Sequence, residues 1–184
     1  MEFVNPKFLR ALLILAAVVV ASEVVLLNRP ATPNVALAAE FAELSQNGNS
    51  ACSAVFADSI DAMADGNKIK GSCCSPMNLE RYTEQTEGLK KYFDIPEIPA
   101  NPYDVDATLA KELKGYYDLI LTPEQQAQYD YAMTNSHEKG PCCCKCWRWY
   151  VYGGLGKYLI QHYGFTGAQV VEVWNLSDGC GGNH

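Results

Sequence analysis

Four of the chain's eight cysteines fall in the single run Pro141-Cys142-Cys143-Cys144-Lys145-Cys146. Drawn out as a strand, this run points Cys142, Cys144 and Cys146 the same way, with Cα atoms roughly 6.6 Å apart along the chain. Wound as a helix, it places Cys142 and Cys146, or Cys143 and Cys146, on one face. Either geometry gathers two or three sulfurs. Lys145 and Arg148 flank the run, and a helix is expected from Trp149 to Tyr163. Nearby cations and a helix N-terminus both favour the thiolate, which is the nucleophilic and metal-ligating form of cysteine. Thiolates are soft ligands that select Cu(I), Zn(II) and related thiophilic ions.

The other cysteines supplement this run. Cys180 sits in Asp178-Gly179-Cys180-Gly181-Gly182, and Cys73-Cys74 is a vicinal pair in the turn-like Gly71-Ser72-Cys73-Cys74-Ser75-Pro76. The candidate metal ligands are therefore Cys142, Cys144, Cys146 and Cys180, with Cys143, Cys73 and Cys74 in reserve. Cys52 lies on an apolar stripe and is expected in the core as a small hydrophobe. Two other chemistries stay open. Eight cysteines could form four disulfides, in any of 105 pairings, although neighbours such as Cys142-Cys143-Cys144 close only tiny loops and are poor staples. Cys143 and Cys146 have Cys-x-x-Cys spacing and could be a thiol–disulfide exchange pair, but no βαβ unit surrounds them.

Other motifs are missing: there is no Cys-x-x-Cys-His, His-Glu-x-x-His, phosphate loop or nucleophile elbow. His137 is expected to be exposed, His162 to be a satisfied core histidine on an apolar face, and His184 to be mobile. Trp147 and Trp149 would shield a site at the cysteine run.

The elements that must position these residues read as helices. Cys52, Val55, Phe56, Ser59, Ile60 and Met63 form an amphipathic stripe that ends at Asp65-Gly66-Asn67. Ser75-Pro76 is expected to start a second helix carrying Leu79, Tyr82, Thr86, Leu89 and Phe93. The proline-rich connector from Asp94 to Pro102 cannot be helical. Val105, Leu109, Leu113, Tyr116 and Ile120 make another stripe. Thr122-Pro123-Glu124-Gln125 and Thr166-Gly167-Ala168-Gln169 are capping boxes; the first opens a helix to about Asn135, the second one over Val170 to Asn175. Gly153, Gly154 and Gly156 weaken the helix from Trp149 to Tyr163 but would permit close approach by a neighbour. The expected fold class is all-α, a compact domain of five to seven helices behind an N-terminal hydrophobic helix.

That N-terminal helix indicates a compartment. Residues 11–27 are almost wholly apolar, broken by Ser22 and Glu23 and preceded by Lys7 and Arg10. This is the pattern of a signal sequence or membrane anchor, with small-residue cleavage sites after Ala21 and Ala38. Residues 1–38 are thus read as signal or anchor plus linker, and residues 39–184 as an extracytoplasmic Cys-rich domain. In an oxidising space unprotected thiols tend to pair. A net charge of −7 without a basic stripe argues against nucleic acid as a partner, and 48% hydrophobic content argues against disorder.

The Pro-Cys-Cys-Cys-Lys-Cys run resembles the Pro-Cys-Tyr-Cys-x-Cys signature of the uncharacterised exported proteins of the PCYCGC, or CYCXC, family. The preceding Tyr129-Asp130-Tyr131-Ala132-Met133 segment and the late Cys180 are placed as in that family. Cys143 stands where the family has Tyr, and its lipobox cysteine is missing here. The resemblance covers about the last 60 residues. It implies an envelope location and a metal-binding or redox role for Cys142, Cys144, Cys146 and Cys180. The expectation is a binder rather than a catalyst, handling an ion of the copper, zinc or mercury class, with Cu(I) or Zn(II) foremost. Its partners would be the ion, an envelope metal-handling protein, and the membrane if the N-terminal helix is uncleaved. The alternatives are a thiol–disulfide oxidoreductase and a disulfide-stapled interaction domain.

Overall fold

A computed structural model describes residues 35–182. The hydrophobic run 11–27, the cleavage site at Ala21 and His184 lie outside the described residues. The chain order is α1 (Val35–Gln46), α2 (Ala54–Ser59), β1 (Lys68–Lys70), α3 (Leu79–Leu89), β2 (Asp104–Asp106), α4 (Ala107–Gly115), α5 (Pro123–Asn135), α6 (Trp147–Tyr163) and α7 (Gly167–Ser177). The described residues are mostly helical. Short 3-10 turns extend α2, α3 and α4. α1 runs through residue 38, and among the described residues no helix is long and apolar enough to cross a membrane.

α6 is the axis of the domain. Trp147, Val151, Tyr152, Leu155, Leu159 and Ile160 are all buried, and so are its three glycines. From Trp147 to Ile160 no residue of the helix is exposed, and α2, α4, α5 and α7 pack around it. The approach of α4 is close because Gly154 has no side chain. A Cβ there would stand 1.9 Å from the Leu113 carbonyl oxygen. Both expected capping boxes are present, with Thr122 and Thr166 accepting from the N–H groups of Gln125 and Gln169.

Three expectations are corrected. The helix expected from Ser75-Pro76 starts instead at Leu79, capped by Asn78. Ser75 donates its N–H to the Cys180 carbonyl, and the Pro76 carbonyl accepts from Gly182, so this segment is held as a loop. The fold also includes a two-stranded antiparallel ribbon, in register Ile69↔Val105, which adds a β element to the expected all-α class. Its strands, Lys-Ile-Lys and Asp-Val-Asp, are too short to show alternation in sequence, yet both central residues are fully buried. The ribbon moves Val105 out of the helical stripe and delivers the chain to Gly71, whose N–H donates to the Tyr103 carbonyl at 2.8 Å. Lastly, His162 is exposed and stacks on Tyr158 rather than entering the core.

Candidate metal centre

Three chain segments meet at the start of α6. The first is the loop Gly71–Pro76 that leaves the ribbon. The second is the run Pro141–Cys146 that leads into α6, and the third is the loop Asp178–Gly182 that follows α7. Backbone hydrogen bonds join the first and third: Cys73 donates to the Gly179 carbonyl and Cys74 to that of Cys180, both at 3.2 Å. Asp178 fixes the third loop, its carboxylate accepting the Cys180 N–H at 3.0 Å while Gln85 donates to its carbonyl. The second segment enters through a buried clamp in which the Ser136 hydroxyl bridges the N–H and carbonyl of Gly140. Cys146 then occupies the N-cap position of α6 without using its side chain as a cap.

This arrangement converges the sulfurs. Cys180 Sγ lies 3.3 Å from both Cys142 Sγ and Cys143 Sγ. Cys142 and Cys146 are 3.6 Å apart, as are Cys73 and Cys74, and Cys73 is 4.0 Å from Cys180. These six thiols are free. Cys142, Cys146 and Cys180 are buried, Cys73 is half-buried, and Cys74 and Cys143 are exposed. Six of the seven candidate ligands thus share one cluster of free thiols, including all three expected only in reserve. The seventh, Cys144, is joined to Cys52, and their sulfurs lie together with that of Cys74. Cys52 is therefore no core residue. It precedes the Ser53 cap of α2, is exposed, and contributes a sulfur at the edge of the cluster. The Ser53 capping position was the signal that Cys52 stood outside the helical stripe.

The electrostatics favour thiolate at two positions, Cys180 and Cys73, and oppose it at Cys142, Cys146 and Cys74. Arg148 is 1% exposed, its guanidinium donating to the carbonyls of Pro102 at 2.8 Å and Gly71 at 3.2 Å. It packs on the rings of Trp147, Tyr103 and Tyr152, and Gly179 lies flat against it. Among the described residues it forms no ion pair with a carboxylate. A buried cation without an anion is costly; Cys73 and Cys142 act on its charge, and the buried Asp178 stands next to Gly179. Hydrogen bonds from Cys142 and then Cys73 pull the Cys180 thiol down to about 6 against the effect of burial. Cys73 falls to about 7 through Cys142 and Cys146, with the Arg148 charge contributing. Cys142, the shared donor, is pushed strongly upward by the same bonds. Burial and the adjacent Cys73 raise Cys74. Sequence spacing identified Arg148 only as a flanking cation; its burial under three aromatic rings is a tertiary fact.

Of the other residues singled out, Trp147 shares the buried core with Cys142, Cys146 and Cys180, and Trp149 packs against it. His137 is exposed, as expected, and its backbone N–H donates to Asn175. Trp149 is half-buried and donates to Tyr117, while Trp147 is buried and donates to Ser50. A separate cleft of about 490 Å³, lined by Leu89, Tyr92, Ile95, Pro96 and Leu109 among others, includes none of the cysteines. Four three-sulfur sets lie close enough to hold a metal ion, and together they include all eight cysteines. No protein-family model, curated protein or solved structure matches the chain.

Proposed function

We propose that this protein binds a thiophilic metal ion through cysteine thiolates and handles it outside the cytoplasm, by sequestration or delivery to an envelope partner. The observation that carries the reading is the convergence of six free thiols from three chain segments beside a buried, carboxylate-free Arg148. Soft sulfur ligands in a largely buried site favour copper, zinc or mercury over hard ions. The apolar run at residues 11–27, preceded by Lys7 and Arg10, supports an exported location. The likeness of the cysteine run to the PCYCGC signature supports the same placement.

Metal analysis tests the proposal. Protein purified without oxygen and exposed in turn to Cu(I), Zn(II) and Hg(II) should retain at least one of them through gel filtration. The variant with Cys142, Cys143, Cys146 and Cys180 all changed to Ser should retain none. Failure of the parent protein to hold any of the three, or equal retention by the variant, refutes the reading.

A second reading rests on one observation. Cys143 is exposed and stands 3.3 Å from Cys180, whose thiol is pulled down to about 6, which suits thiol–disulfide exchange. That pairing differs from the Cys143–Cys146 pair expected from spacing, because Cys146 turns inward to Cys142. A metal-free protein that forms a mixed disulfide through Cys180 would favour this reading over the first.

A further inference from the structure

The cluster has an internal order that a single-ion site does not require. Three of its sulfur sets are Cys73, Cys74 and Cys180; Cys73, Cys142 and Cys146; and Cys142, Cys143 and Cys180. Each pair of sets has one sulfur in common. The first and second share Cys73, the second and third share Cys142, and the third and first share Cys180. The sets therefore close into a ring with three shared and three unshared sulfurs.

We propose that this ring is built to hold three Cu(I) ions, bridged by Cys73, Cys142 and Cys180 and completed by Cys74, Cys143 and Cys146 as terminal ligands. The inference rests on the thiolate metal-binding function above and adds the ion, its number and the role of each sulfur. The bonding closes. Three shared sulfurs with two bonds each and three unshared sulfurs with one supply the nine bonds that three three-coordinate ions need.

Coordination number selects the metal. Structural Zn(II) takes four ligands in a tetrahedron, whereas each set here offers three sulfurs, the number that suits Cu(I). With metal–sulfur bonds of about 2.3 Å, sulfurs around a three-coordinate ion stand about 4 Å apart. The spacings of 3.3, 3.6 and 4.0 Å already approach this, so loading asks for little movement. Loading transfers no electrons. Copper enters as Cu(I), forms its bonds to sulfur, and each ligating thiol releases its proton to water.

Burial and charge fit the assignment. The bridging sulfurs of Cys142 and Cys180 are buried and that of Cys73 is half-buried, while of the three terminal ligands Cys74 and Cys143 are exposed and Cys146 is buried. The exposed pair gives an incoming ion its first ligands by exchange from a carrier, and the buried sulfurs exclude water from the core. Six thiolates and three Cu(I) ions leave an anionic cluster. Arg148 and the N-terminus of α6, where Cys146 is the cap, are positioned to offset that charge.

The test is an anaerobic titration of the full chain with Cu(I) against a coloured Cu(I) chelator, with the Cys52–Cys144 bridge left intact. X-ray absorption is then measured on the loaded protein. The expected result is saturation at three ions per chain, with sulfur-only coordination and a short Cu···Cu vector. Cys142→Ser removes a bridge, so it should bind at most one ion and lose that vector. Cys143→Ser removes an exposed terminal ligand, so it should keep two or more ions and the vector. Circular dichroism establishes that both variants fold, and Cys143, being exposed, supplies the decisive comparison if Cys142→Ser does not. Saturation at one ion, or no Cu···Cu vector in the parent, overturns the trinuclear assignment and leaves metal binding standing. Failure to retain copper while Zn(II) or Hg(II) is held overturns the trinuclear assignment alone, and retention of none of the three overturns both.

Discussion

Gly179→Ala tests whether the cluster and its buried cation are one packed unit. A Cβ at this position would lie 2.1 Å from the Arg148 Cζ and 2.2 and 2.3 Å from its two terminal nitrogens. Ordinary contacts of this kind are about 3.5–4.0 Å, so the overlap exceeds about 1 Å. Neither side yields easily. The guanidinium is fixed by the Pro102 and Gly71 carbonyls, and the loop by its backbone bonds to Cys73, Cys74 and Ser75. Overpacking of a rigid site costs about 1–3 kcal/mol, and with both partners held the upper half of that range is expected. In a domain of this size that lowers Tm by roughly 5–10 °C. Thermal and urea unfolding followed by circular dichroism measure it. The decisive form is a double-mutant cycle with Arg148→Met, which removes the obstructing group. There Gly179→Ala should cost less than about 1 kcal/mol, giving a coupling of 1 kcal/mol or more. A drop in Tm below about 2 °C in the parent background, or strict additivity in the cycle, would refute the packing argument.

Other consequences are open to measurement. Gly154→Ala drives a methyl into the Leu113 carbonyl, and despite the better helix propensity of Ala it should destabilise by about 1–3 kcal/mol in urea unfolding. Reduction of Cys52–Cys144, which closes a separation of 92 residues, should raise the titratable thiols of the described residues from six to eight. It should also lower stability by about 2–4 kcal/mol and let Cys52, Cys74 and Cys144 take up one further Cu(I) ion. A hydrogen bond from Lys91 holds the Glu172 carboxyl below its usual range, with burial opposing. A lowered folded-state value means the stabilisation is present above the unfolded pKa of about 4.3 and is lost as pH falls through the folded one. Lys91→Met should therefore cost less than about 1 kcal/mol at pH 7, and melting curves of variant and parent should converge in acid.

What the sequence revealed divides along the range of the forces involved. The helices of α5 and α7 announce themselves because Thr122 and Thr166 act on residues three positions away. The cysteine run was legible for the same reason. Cys180 was expected beside it and Cys73 and Cys74 in reserve, but the contacts that join them, backbone bonds between loops 107 residues apart, leave no local pattern. Those bonds also explain the misplaced start of α3: Ser75-Pro76 has the chemistry of a helix opening, but its polar groups are already committed to Cys180 and Gly182. Cys52 looked like core because its stripe continues through Phe56 and Ile60; Ser53 caps the helix, which begins at Ala54 and so leaves Cys52 outside it. The Gly153–Gly156 segment was read correctly as a point of close approach.

The order of the segments along the chain has a consequence for synthesis. Cys180 follows Cys142 by 38 residues and Cys73 by 107, and it belongs to two of the three linked sulfur sets. A growing chain that has not yet emerged past α7 lacks Cys180 and so can bring together only the Cys73, Cys142 and Cys146 sulfurs of the three linked sets. If the proposed ring forms, it closes last, when the loop after α7 delivers the sulfur common to the other two sets.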